Sequence, residues 1–141
     1  MALEDLGLEV RILSNLIYNR LNQLTIETEN LTIHHYWILS YLADNSGKAV
    51  YQKDIEQLLS IKRSTANQML RTMEARGLIL RALSSEDARR NVLSVTDEGI
   101  AAHERLDQKL RQFLRRFFGN IPQTELDQFR KTLNTLRHNI E

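Results

Sequence analysis

Two short stretches with helical periodicity, about Gln52 to Leu59 and about Arg63 to Arg76, are separated by only Ser60-Ile61-Lys62. Ile55, Leu58 and Leu59 line one side of the first; Ala66, Met69, Leu70 and Met73 line one side of the second. Three residues are too few to fold two such short helices back against each other. The pair must cross at a large angle, which is helix-turn-helix geometry. Gly77 stands where a left-handed C-cap belongs. The period then changes: 78–83 and 91–95 read as two short strands, with polar and charged Ser84 to Arg90 between them. A hairpin with a long tip therefore follows the helix pair directly.

The rest of the chain reads as helix. Five glycines and one proline in 141 residues leave long stretches without a breaker. Leu6, Val10, Leu13, Ile17, Leu21 and Leu24 step by three and four along a first helix. Asn30-Leu31-Thr32 reads as a break with Thr32 as the next N-cap. The helix after it is apolar on most sides (Ile33, Tyr36, Trp37, Ile38, Leu39, Tyr41, Leu42) and belongs in the interior. Near the end, Leu106, Leu110, Phe113 and Phe117 form one stripe, and Leu126, Phe129, Leu133, Leu136 and Ile140 form another. Gly119 divides them, and Pro122 suits a first helical turn. The terminal stripes exceed what a small central lobe needs, so their expected partner is a second copy of the chain.

These features make residues 1–141 a single, mainly α domain. A winged helix-turn-helix lobe with a two-stranded wing spans 31–99, and dimerisation helices flank it in 1–30 and 100–141. No apolar run approaches a membrane span. Met1 to Val10 carries acids and no base, unlike a secretory signal, so a cytoplasmic location is expected. The absence of cysteine excludes disulfides, thiol catalysis and cysteine-zinc fingers.

The net charge of +1 hides an uneven distribution. From Lys62 to Arg90 there are seven bases and three acids, a net of +4, which leaves −3 for the remainder. A local basic stretch in an otherwise slightly acidic chain is how a phosphate-facing surface looks, and equally how a solvated face looks. On the second short helix, Arg63, Ser64, Asn67, Gln68 and Arg71 share the face opposite its apolar residues. Arg suits guanine, and Asn or Gln suits adenine, in a DNA major groove; Thr65 and the first amides suit phosphates. At the hairpin tip, Asp87 can orient Arg89 towards a narrow minor groove, with Arg90 beside it. The expected partner is double-stranded DNA. The other reading is a winged-helix protein-protein interaction module whose basic hairpin docks an acidic partner.

The run Asp87-Ala88-Arg89-Arg90-Asn91-Val92-Leu93-Ser94-Val95-Thr96-Asp97-Glu98-Gly99 resembles the wing signature of MarR-type transcriptional regulators. Ile55 to Leu59, Ile61, Arg63-Ser64-Thr65 and Met73 to Ile79 match that family's helix-turn-helix and following strand. The resemblance covers about Leu31 to Gly99. It implies a homodimer that binds pseudo-palindromic operators, usually as a repressor, with Ser64, Thr65, Asn67 and Gln68 at reading positions and Arg89 at the wing tip. Three positions depart from it: Glu56 replaces a small residue at the helix crossing, Ser60 replaces the turn glycine, and Lys62 replaces a Ser or Thr cap. Lys62 can instead reach a phosphate.

The resemblance also implies release from DNA by a small aromatic or anionic effector. Arg11, Tyr18, His35, Tyr36, Trp37 and Tyr41 would line its cleft, although core packing is the commoner reason for aromatic residues on such a helix. Some relatives sense zinc, which leaves a metal-responsive regulator as a further alternative. Here, however, His34, His35, His103 and His138 are dispersed, and Asp107 breaks the H-E-x-x-H pattern begun at His103-Glu104. We expect no metal site and no cofactor. No nucleophile elbow, P-loop or dinucleotide fingerprint is present, so no enzymatic activity is expected.

Overall fold

The computed structural model describes residues 2–83 and 91–141. Asp87, Arg89 and Arg90 of the expected wing tip lie outside the described residues. The chain forms two compact units, residues 1–109 and 110–141.

The first unit opens with helix α1 (Leu3–Glu29), which Asn30 ends in the left-handed conformation. Of the helix only Leu21 and Thr25 are buried. The first half of its apolar stripe is open: Leu6 is exposed, Val10 is 58% exposed and Leu13 46%. Helix α2 (Ile33–Asp44) is the opposite case, with Ile33, Ile38, Leu39 and Leu42 in the core. Thr32 caps it as the sequence suggests. The Thr32 hydroxyl accepts from the His35 amide, and the Thr32 amide donates to His35 Nδ1. The Asn22 side-chain oxygen accepts the Ile33 amide and satisfies another of the orphan donors.

Strand β1 (Val50–Tyr51) leads into α3 (Gln52–Leu59), and a three-residue joint leads to α4 (Arg63–Ala75). Gly77, at φ +73, closes α4 as expected. Strands β2 (Ile79–Leu83) and β3 (Asn91–Val95) pair antiparallel, Ile79 opposite Val95 and Leu83 opposite Asn91. The sheet has a third strand that the sequence did not reveal. β1 pairs with β3 through Val50–Leu93 and Tyr51–Val92, giving the order β1-β3-β2. Two residues show no period of their own.

Ile55, Leu70, Met73, Ile79 and Leu93 join the α2 residues in one core, with Ala102 and Leu106 of α5 (Asp97–Phe118) packed into it. The Thr-x-x-Gly end of the wing signature explains how α5 starts. The Thr96 hydroxyl donates to the Gly77 carbonyl and accepts from the Gly99 amide. A Cβ on Gly99 would stand 2.2 Å from the Leu78 carbonyl oxygen, so only glycine fits there.

The second unit holds the end of α5, where Phe113 and Phe117 stack, and helix α6 (Gln123–Ile140) beginning after Pro122. None of the residues of α6 is buried, and Phe129, Leu133, Leu136 and Ile140 form an exposed apolar row. Among the described residues, no helix is long and apolar enough to cross a membrane.

Candidate nucleic-acid interface

Helix α4 is amphipathic in the sense its sequence suggests. Ala66, Leu70 and Met73 are fully buried, while Lys62, Arg63, Ser64, Gln68 and Arg71 are exposed. Thr65 and Asn67 are half-buried. Lys62 holds the N-cap position without a side-chain cap bond, so no cap side chain covers the first amides of α4. Ser60 takes the left-handed conformation (φ 53, ψ 51), doing the work of the turn glycine it replaces. The Ile61 amide then bonds back to the Glu56 carbonyl and sets the crossing of α3 and α4.

Between α3, α4 and the sheet lies a cavity of about 790 Å³, lined by Tyr51, Gln52, Lys53, Glu56, Arg63, Ser64, Asn67, Arg81 and Asn91. Sequence reasoning found three of these nine, Arg63, Ser64 and Asn67. Arg81 is the consequential omission. Its guanidinium donates to Asn67 twice, from Nη1 to the side-chain oxygen at 3.1 Å and from Nη2 to the main-chain oxygen at 3.2 Å. Its Nε lies 3.8 Å from Glu74, and its side chain is only 12% exposed. The available signal was parity. In a strand, Arg81 shares its face with buried Ile79, and a lone arginine on an inward face calls for a partner.

Arg76 also departs from the basic-surface reading. Its two terminal nitrogens donate to the main-chain oxygens of Asn30 (2.7 Å) and Glu29 (2.9 Å) at the end of α1. A cation on those orphan carbonyls complements the negative end of the helix dipole. Arg105 reinforces this corner through its ion pair with Glu29. Of the bases that made the segment +4, Arg81 is part-buried and Arg76, although exposed, is hydrogen-bonded to the end of α1, whereas Lys62, Arg63 and Arg71 are exposed.

The residues singled out for an effector fall into separate groups. The His34 ring contacts both Tyr18 and Trp37, with centroids 5.4 Å apart in each of those two pairs. Tyr36 stacks on His103 and donates to Asp107 at 2.6 Å, and His103 Nε2 is 2.7 Å from the Ser40 hydroxyl. Tyr41 packs against the core, and Arg11 is exposed. His35 lies under its cap. Burial first, then the positive Arg76 and His34, lower its pKa to about 4. Accepting the Thr32 amide at Nδ1 places the proton of the neutral ring on Nε2. Among the described residues no group of three or more His, Asp or Glu gathers as a metal site would require.

The sequence model of the MarR family matches residues 29–90, which run from the end of α1 through the helix-turn-helix and β2 and stop before β3. The fold agrees over nearly the whole chain with solved members of that family. Over residues 29–90 the chain is similar to the MarR family of transcriptional regulators. It is similar to the HTH-type transcriptional repressor IacR of Pseudomonas putida, 26% identical over 105 residues that make up 74% of this chain and 60% of that protein. The chain spans about 60% of the length of the curated relatives it matches. Among solved structures, the MepR–DNA complex of S. aureus superposes with a TM-score of 0.86 at 21% identity, covering 96% of this chain and 97% of that one. PcaV of Streptomyces coelicolor, solved with its natural ligand, gives 0.80 at 23% identity over the whole of both chains. Within this fold α4 packs beside β2, and Arg76 and Arg81 hydrogen-bond to other parts of the chain.

Proposed function

We propose that this protein is a transcriptional regulator that binds double-stranded DNA as a homodimer, with α4 in the major groove of each half of a pseudo-palindromic operator. The observation that carries this reading is the face of α4. Arg63, Ser64, Gln68 and Arg71 stand exposed and opposite a fully buried apolar side, beside an N-terminus with no side-chain cap. Those groups can serve base edges and phosphates. The fold likeness to the MepR–DNA complex supports the docking, and the likeness to IacR supports repression. The exposed apolar rows of α1 and α6 support a dimer seam, because isolated faces of that length are normally covered. Release by a small aromatic or anionic effector is supported by the likeness to PcaV, solved with its natural ligand; Tyr18 and Trp37, in one ring group, and Tyr36, in another, are the candidate contacts.

Sedimentation of the full chain with random and selected duplexes, across salt concentrations, tests the proposal. The expected species is a dimer at micromolar concentration. Its affinity should fall by about 10³–10⁵ between 50 and 200 mM salt if it neutralises about 6–10 phosphates. A monomer that ignores every duplex at low salt removes the proposal, and binding of acidic proteins in its place establishes the docking-module alternative.

A further inference from the structure

Asn67 stands at a reading position, and its type suggests adenine, whose major-groove edge offers one donor and one acceptor to a carboxamide. The structure gives that carboxamide only half of its usual vocabulary. Arg81 Nη1 donates to its oxygen at 3.1 Å, and Arg81 Nη2 donates to the Asn67 carbonyl at 3.2 Å. A guanidinium has donors and no acceptor, so the amide atom facing Arg81 is the oxygen and the NH2 group points away from it. Glu74 near Nε and the 12% exposure of the Arg81 side chain hold this arrangement in place without DNA. Among the described residues nothing accepts from Asn67 Nδ2, and Asn67 lines the open cavity with Arg63 and Ser64.

On the DNA-binding reading above, we infer that Asn67 acts as a donor only and selects guanine. Guanine presents two acceptors, N7 and O6, side by side in the major groove. Adenine places a donor where O6 stands, against the donating amide. Arg81 is then a specificity-determining residue that touches no base. It sits on β2, the strand that leads to the hairpin tip, so the identity read by α4 depends on the seat of the wing.

The test is duplex selection with the full-length wild type, Asn67→Ala, Asn67→Asp and Arg81→Met, followed by affinities on defined duplexes. Asn67→Ala should relax one symmetric position of the selected site, and at that position the wild type should prefer guanine over adenine by about fivefold or more. Replacing that guanine with 7-deazaguanine should weaken the wild type severalfold and leave Asn67→Ala unaffected. Asn67→Asp keeps an oxygen on Arg81 but turns the reading atom into an acceptor, so its preference should move towards cytosine, whose N4 donates. Arg81→Met keeps the packed stem and frees the amide oxygen, so adenine should become tolerated. Thermal melts confirm that each variant is folded. Adenine preferred by the wild type at the Asn67-dependent position, or a selected site unchanged by Asn67→Ala, overturns the inference and leaves the regulator reading intact. Absence of duplex binding by the wild type removes both.

Discussion

The joint between α1 and α2 and the joint between α3 and α4 have the same backbone shape and opposite chemistry. Each is three residues long, with a left-handed first residue (Asn30 at φ 54, Ser60 at φ 53) and an extended third residue (Thr32 at φ −79, Lys62 at φ −72). In the first joint nearly every orphan group is served from within the fold. Leu31 is buried, Thr32 and His35 form a reciprocal cap, Asn22 takes the Ile33 amide, and Arg76 covers the last carbonyls of α1. In the second joint Ile61 is half-buried, Lys62 contributes no cap bond, and serine occupies a conformation that suits Asn or Gly better. One joint is completed by protein groups; the other leaves its first amides without a side-chain cap and its cations exposed. On the DNA-binding reading, the difference separates a structural corner from a proposed docking edge, although the two have almost the same main-chain geometry.

The completed joint should show the largest effect, through pH. His35 is neutral in the fold, with its pKa lowered to about 4 from 6.5. Between those values the unfolded chain binds a proton that the folded chain refuses. Stability from this group is therefore full above pH 6.5, falls as pH drops through the window, and changes no further below about 4. By pH 5 the loss should reach about 2 kcal/mol, at 1.36 kcal/mol for each pKa unit. Urea midpoints of wild type and His35→Gln at pH 7, 6 and 5 measure it. The variant should start less stable but decline less steeply, and parallel declines would rule out this source of pH sensitivity.

How much of this was legible in the residues depends on the range of the interaction. The Thr32 cap, the Gly77 turn and the crossing of the helix pair are set within a few positions, and sequence spacing gave each of them correctly. The exposed side of α4 was legible for the same reason, since helical periodicity alone places Arg63, Gln68 and Arg71 opposite Leu70. Arg76 and Arg81 could be counted as bases but not located. Their partners, Asn30 and Asn67, lie 46 and 14 positions away, and only the folded chain brings them together. β1 was missed because two residues carry no period. The aromatic residues of α2 were assigned to one cleft by the family resemblance; the helix turns Trp37 and Tyr36 towards different neighbours.

A smaller effect should come from exchanging the caps. Thr32→Ala removes the hydroxyl that receives the His35 amide and should destabilise the protein by about 1 kcal/mol. Lys62→Thr gives the bare α4 N-terminus a cap and should stabilise it by a similar amount, about 1 kcal/mol. The same substitution deletes a cation at the docking edge, so duplex affinity should fall while the melting temperature rises. Opposite movement of the two readouts is what distinguishes an edge left bare for an anion from one that is merely poorly capped. Parallel losses would mean that Lys62 supports the fold.

The smallest expected effect lies in the left-handed residues themselves. A side chain at positive φ is strained by contact between Cβ and the following carbonyl, on the order of 1 kcal/mol, and asparagine tolerates it better than serine. Glycine relieves that strain and gives part of the gain back through the freedom it adds to the unfolded chain. Ser60→Gly should therefore stabilise the protein by roughly 0.5 kcal/mol. Asn30→Gly should leave stability unchanged or lower it slightly, by a few tenths of a kcal/mol, since Asn already suits the site. Denaturant midpoints of the two variants measured side by side resolve the difference. Equal responses would show that serine is as comfortable at its joint as asparagine is at the other, and the contrast between the joints would then rest on their caps alone.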